Sequence, residues 1–266
     1  MSRALAGNGA DAPTGEMLRT AVLLLGFAAL VGLSAGYTGG FHSLQDLANR
    51  SADPLVWSLF TQLGETPVLL SFALLFARRR PDILWALLCG ALLAAATARG
   101  LKFLVDAPRP SALLLPGEFL QAGPVLRRNS FPSGHTLLAF LFAGVVFHHL
   151  RGWFLRGGLL LLAALVGFSR IAVGAHWPVD VLTGAALGLM VAVAAVLVAR
   201  RFEMVLVHAT ARRLMPVVPL LACVATLLMP HPMMPVSVAG SILAAIVLGW
   251  YLLEPRWQGG LPVTSR

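Results

Sequence analysis

The sequence predicts an all-α, polytopic transmembrane helix bundle: a six-helix core followed by a C-terminal two-helix hairpin. Three observations carry this. Hydrophobic residues make up 58% of the 266-residue chain and charged residues 12%, with a mean hydropathy of +0.82; a soluble domain carries about 25% charged residues. Apolar runs near the roughly 17–25 residues that cross a hydrocarbon core recur along the whole length. Arginines gather at the ends of these runs rather than inside them.

The elements follow in order. Residues 1–16 are polar and read as a flexible tail. The first span runs from Met17 to Tyr37. It exceeds the roughly 7–15 apolar residues of a cleavable signal peptide, so it is expected as a retained helix. A polar stretch from Gly39 to Pro54 leads to a second span near Thr66 to Ala77, with its start left open by a few residues upstream, stopped by Arg78, Arg79 and Arg80. The third span covers Asp82 to Val105, and a loop rich in proline and charge follows it. Gly134 to Leu150, Phe154 to Ile171 and Pro178 to Ala199 complete a core of residues 17–201. Arg200, Arg201, Arg212 and Arg213 bracket a surface segment. Two further runs, Leu214 to Met229 and Val236 to Leu253, make residues 202–266 an additional membrane hairpin turning at residues 230–235.

A formal charge of +9 suggests nucleic acid in a soluble protein, but here it reads through topology. With both termini cytoplasmic, thirteen of the twenty Lys and Arg residues fall on the inner side and seven on the outer, the direction of the positive-inside rule. No nucleic-acid partner is expected; the partners are the bilayer and a lipid. Cys89 and Cys223 lie inside apolar runs and read as buried thiols. Trp57, Trp153, Trp177, Trp250 and Trp257 fall near span ends and read as interface anchors.

The outer cations need their own reason. Three segments meet on that face: Lys102 to Pro110, Pro132 to His135, and Ser169 to Asp180. Lys102, the one lysine of the chain, and Arg109 and Arg170 suit an anion with several oxygens. Gly134 leaves backbone N–H groups open at a helix N-terminus, where the dipole favours phosphate, and Ser133 adds a hydroxyl. The stretch reads as a phosphate cradle.

His176 and Asp180 stand four apart, with Pro178 suited to a first helical turn. The carboxylate then takes the Nδ1 proton and leaves Nε2 to attack. His176 is the expected nucleophile, forming a phosphohistidine. His135 is left to protonate the departing oxygen and activate water. Metal is not expected: near the site that face carries only Asp106, Glu118 and Asp180, and Asp180 is committed. No cofactor is expected.

The pattern Lys-x6-Arg-Pro, Pro-Ser-Gly-His, Ser-Arg-x5-His-x3-Asp resembles the three-part signature of the type 2 phosphatidic acid phosphatase superfamily. The resemblance covers roughly Thr61 to Ala199. It implies a helical core and a metal-independent lipid phosphatase with a histidine nucleophile. Such families have six membrane helices, so the last hairpin is a departure. In a bacterial inner membrane the site would face the periplasm, and undecaprenyl diphosphate ranks first as substrate. Phosphatidylglycerol phosphate, lipid A precursors and transfer to a lipid acceptor stay open, as do a transporter and a non-catalytic membrane protein. The ranking rests on Arg127 and Arg128, which lie outside the signature. They are expected either to hold the second phosphate of a diphosphate or to touch lipid headgroups. Gly184 and Gly188 form a GxxxG step expected to pack helices closely. The residues leave the oligomeric state open.

Overall fold

The computed structural model describes residues 12–228 and 233–254. The described residues are helical throughout the bundle and contain no strand. Helix α1 (Ala12–Ala35) begins with Pro13 in its first turn, inside the segment expected as tail; residues 1–11 lie outside the described part. A proline fits there because the first-turn N–H groups have no intrahelical partner. α1 shows Leu23 and Leu33 outward and buries Met17, Ala21 and Ala28. The polar stretch that follows folds as α2 (Phe41–Ser51), burying Phe41, Gln45 and Ala48 along one face.

The second span is longer than its apolar run and is broken. Asp53 caps α3 (Pro54–Leu63) by accepting from Leu55 N at 2.7 Å. The chain then corners at Gly64 and Glu65 and resumes as α4 (Thr66–Phe72) and α5 (Leu74–Ala77), bent by 59°. Thr61 and Gln62 are buried, although their polarity argues for a place outside the span. Pro67 in the first turn of α4 removes a backbone donor at the break.

Next come α6 (Pro81–Val105), a single turn α7 (Pro110–Leu113), α8 (Gly134–His149), α9 (Trp153–Ala172) and α10 (Pro178–Arg201). After a 3-10 turn at Glu203–Leu206 come α11 (Ala209–Leu214), α12 (Val217–Leu228) and α13 (Met234–Leu253). Among the described residues six helices are long and apolar enough to cross a membrane, and the bent pair passes the same test only when its two arms are counted as one span. α8 has 16 residues, about 24 Å of rise against roughly 30 Å of hydrocarbon. With it, all eight expected apolar elements are helices. The turn expected at residues 230–235 falls partly outside the described residues, as does Trp257.

α10 is the centre of the bundle, packed by α1, α6, α8 and α9. Its GxxxG step meets α8: a Cβ at Gly184 would lie 2.7 Å from Ser133 O, and one at Gly188 2.5 Å from Leu137 O. No larger residue permits this approach. The C-terminal hairpin packs instead on the broken span, where Cys223, Ala244 and Val247 meet Leu74. Both cysteines are free and buried. Arg79 pairs with the buried Glu254 carboxylate at 2.8 Å, and Arg78 stacks on Tyr251.

Two of the tryptophans expected at interfaces are internal. Trp57 donates to Ala48 O at 3.0 Å and Trp177 to Pro108 O at 2.8 Å. Each ring fills a gap beside a backbone carbonyl that its N–H satisfies. Trp153 and Trp250 are exposed.

Candidate active site

The turn from α9 into α10 is fixed by backbone bonds. The N–H groups of Ala175 and His176 both donate to Arg170 O, at 3.0 and 3.1 Å. Gly174 holds a φ of +73°, and a Cβ there would lie 2.3 Å from Leu120 O, so glycine is required twice over. His176 therefore enters the interior just before α10 begins, and it is 1% exposed.

Asp180 lies in the first turn of α10 and is fully buried. Its Oδ2 is 3.3 Å from His176 Nδ1 and accepts from Trp177 N at 3.0 Å and Ser130 Oγ at 2.5 Å. Tyr37 donates to the other oxygen, Oδ1. Its two oxygens thus face donors from three other residues. Burial pushes the His176 imidazole down from the ordinary histidine value to about 3, against the upward pull of Asp180. The ring is thus neutral near pH 7, with Nδ1 directed at Asp180 and Nε2 left with a lone pair. Burial, then the Asp180 charge, raises the Tyr37 phenol above its usual value, so it stays a donor.

The Pro-Ser-Gly-His stretch is tied to the same turn. Ser133 N donates to Asp180 O at 3.1 Å, and Ser133 Oγ accepts from Thr136 Oγ1 at 2.8 Å. Ser133 is the first residue ahead of α8, and Gly134 opens the helix. Lys102, in the last turn of α6, brings its Nζ to 3.9 Å from where a Gly134 Cβ would stand. The ammonium group therefore overhangs a helix N-terminus.

The two signature arginines differ. Arg109 is buried and donates to Arg128 O at 3.0 Å, Ala175 O at 3.1 Å and Asn129 O at 3.4 Å. It clamps the loop before α8 to the α9–α10 turn, and two of its five N–H donors remain for another partner. Arg170 is 9% exposed, and its Nε is a buried donor without a hydrogen-bond partner among the described residues. A buried, unpaired guanidinium donor is costly and matches an anion. Ser169 receives a bond from Thr61 at 2.8 Å and ties α9 to α3.

His135 Nε2 stands 3.1 Å from Glu65 Oε1, an ion-pair contact with the corner of the second span. Arg127 is exposed, and the largely exposed Arg128 pairs with Asp106. Among the described residues no group of three or more His, Cys, Asp or Glu side chains is placed to hold a metal.

Eight of the residues expected from sequence thus lie together: Lys102, Arg109, Ser133, Gly134, His135, Arg170, His176 and Asp180. Arg127 and Arg128 stand at the rim. Tyr37, Ser130 and Glu65 join the site without having been singled out. Ser130 had a signal, three residues ahead of Ser133 in the same stretch. Tyr37 and Glu65 had none, since each comes from an element without a motif.

The fold and site define a multi-pass helical membrane protein with a carboxylate-held histidine set among buried cations. Residues 83–204 match the PAP2 superfamily. The structure is similar to that of Aquifex aeolicus LpxE, with a TM-score of 0.52 and 31% identity over 57% of this chain and 92% of that one. The chain belongs to the PAP2 superfamily. It is 47% identical over 64 residues to the bacitracin transport permease protein BcrC of Bacillus licheniformis, covering 23% of this chain and 30% of that protein. It is 45% identical over 67 residues to a lipid A 1-phosphatase of Porphyromonas gingivalis, 24% of this chain and 15% of that one. It is 34% identical over 87 residues to an undecaprenyl-diphosphatase of Sulfolobus acidocaldarius, 33% of this chain and 41% of that one. The chain spans less than half the length of these curated relatives.

Proposed function

We propose that this chain is an integral-membrane lipid phosphate phosphatase that works through a phosphohistidine on His176. The observation that carries it is the buried His176–Asp180 pair, with a neutral imidazole oriented by the carboxylate, beside the unpartnered guanidinium donor of Arg170. Lys102, Arg109, Arg170, Ser133 and the Gly134 backbone bind the phosphate and stabilise its charge during transfer. His176 Nε2 attacks phosphorus, and His135 protonates the leaving oxygen and then activates water. Residues 17–201 carry this chemistry, and α12 and α13 of the C-terminal segment brace α4 and α5.

The positive-inside count supports a site on the periplasmic face of a bacterial inner membrane, with both termini cytoplasmic. Undecaprenyl diphosphate is the first-ranked substrate. The relative named as an undecaprenyl-diphosphatase supports this, and Arg127 and Arg128 supply charge for a second phosphate. The relative named as a lipid A 1-phosphatase keeps a lipid A precursor as the second reading.

Phosphate release by the purified protein from a panel of lipid phosphates and diphosphates tests the proposal. Release is expected to survive EDTA, to stop with vanadate, and to vanish in His176→Ala. Asp180→Asn should lose activity severely through the wrong tautomer. Full activity in His176→Ala would reject the phosphohistidine, and vanadate-insensitive behaviour would return the transporter class suggested by the BcrC relative's name.

A further inference from the structure

The second span breaks against α8 and α9. A Cβ at Gly64 would lie 2.7 Å from Val166 Cγ1 and 2.9 Å from His135 Cβ, so only glycine lets the corner come this close. One residue on, the Glu65 carboxylate stands 3.1 Å from His135 Nε2, an ion-pair distance at which the buried Nε2 makes no hydrogen bond at rest and a protonated ring would pair. The sequence reading puts Glu65 at the edge of a span; the structure sets it at the 59° break between α3 and α4, against the first turn of α8.

The charges around His135 give that partner a purpose. Arg170 on α9 and Lys102 on α6 act on it as well as Glu65. On α10 the nearest carboxylate, Asp180, is committed to His176. Burial and these two cations oppose a positive charge on His135, and Glu65 is the group that acts the other way.

We propose that Glu65 is a positioning residue for His135: it holds the Nε2–H, so that Nδ1 carries the proton to and from the oxygens of the reaction. This rests on the phosphohistidine reading above. In the first half, His176 Nε2 bonds to phosphorus and the P–O bond breaks with its electron pair on oxygen. The Nδ1 proton of the His135 imidazolium passes to that oxygen. In the second half, neutral Nδ1 takes a proton from water as the water oxygen bonds to phosphorus. The P–N bond then breaks and returns its pair to His176. The two histidines thus face their carboxylates in opposite senses, His176 through Nδ1 and His135 through Nε2.

The test uses the full chain in detergent micelles with two substrates. One is a lipid phosphate, whose alkoxide leaves poorly. The other is p-nitrophenyl phosphate, whose phenolate leaves without a proton. In Glu65→Gln, kcat/KM should fall about a hundredfold on the lipid and no more than about threefold on the aryl ester. The basic limb of the lipid pH profile should move down by about one unit, as loss of a neighbouring anion requires. Equal losses on both substrates, or an unmoved limb, overturn the proposal, because a structural lesion lowers both alike. Glu65→Asp keeps the charge and shortens the reach, so it should lose less, still on the lipid alone. If Glu65→Gln does not fold, the aspartate variant decides by the same split. A wild-type chain that releases phosphate from neither substrate refutes the phosphatase reading itself, whatever the variants do.

Discussion

Tyr37, two residues beyond the end of α1, donates its hydroxyl to Oδ1 of Asp180 in the first turn of α10. The bond joins the first span to the residue that orients His176. It makes the site depend on α1, which carries none of the three signature segments. Tyr37→Phe leaves one oxygen of a fully buried carboxylate short of a donor. A hydrogen bond to a charged group is worth about 1.5–3 kcal/mol, so kcat/KM should fall by roughly ten- to a hundredfold. The variant should still fold, since the phenyl ring keeps its place beside Trp177. Wild-type kinetics in Tyr37→Phe would remove the residue from the site.

The pH dependence follows from His176, whose folded value near 3 lies below that of an exposed histidine. The folded chain refuses a proton that the unfolded chain accepts below about pH 6.5. Stability is therefore fully present above that pH and is lost as pH falls toward the folded value. Thermal unfolding in detergent should show a midpoint that declines on acidification below about pH 6.5, and a shallower decline in His176→Gln. The acid limb of kcat/KM should likewise show no inflection from His176 near that pH. A His176→Gln midpoint that falls just as steeply would assign the acid sensitivity elsewhere.

The long helices and the three motif segments were legible because each signal is local. α6 and α10 announce themselves by length and apolarity, and the spacing of His176 and Asp180 already implies a shared helix face. The broken span was not legible, because Thr61, Gln62 and Glu65 look like residues outside a membrane. Thr61 and Gln62 are buried and Glu65 is half-buried because Thr61 bonds Ser169, Gln62 lies against Gly240, and Glu65 meets His135. Those partners are distant in sequence, so no window centred on the span contains them. α2 was read as a polar stretch for the related reason that its apolar face is only Phe41 and Ala48 beside the buried amide of Gln45. That amide bonds Leu120, Ile171 and Ala172.

The hairpin gives a stability prediction. A Cβ at Gly240 would come within 2.0 Å of Gln62 Nε2, so α13 and α3 touch with no room to spare. Gly240→Val should destabilise the chain by about 1–3 kcal/mol, the usual cost of overpacking, seen as a lower thermal midpoint. A truncation after Arg213 keeps all three motifs and should retain measurable hydrolysis if it folds. An undiminished midpoint in Gly240→Val would mean that the hairpin is not held at this contact.

Topology can be read with thiol reagents, because Cys89 and Cys223 are buried and give a low background. Glu118 and Arg201 are exposed at opposite ends of the bundle's connections. Glu118→Cys should react from outside in intact cells, and Arg201→Cys only after permeabilisation. Reaction of both from outside would overturn the assignment of the site to the periplasmic face.

Substrate choice turns on the rim. Arg128 is engaged by Asp106, while Arg127 is exposed beside it and its carbonyl accepts from Arg109 N at 2.9 Å. The pair is thus tied through backbone carbonyls to the buried Arg109 clamp, with both side chains exposed. A diphosphate lipid would reach it with its second phosphate, and a monophosphate lipid would not. Replacing both, Arg127→Ala with Arg128→Ala, should raise KM for undecaprenyl diphosphate by about ten- to a hundredfold, the scale of one or two charge-assisted bonds. Turnover of the corresponding monophosphate should change by less than about threefold, since exposed charges acting at a distance are worth little. Equal losses on both lipids would return the two arginines to headgroup contact and leave the lipid A reading as the stronger one.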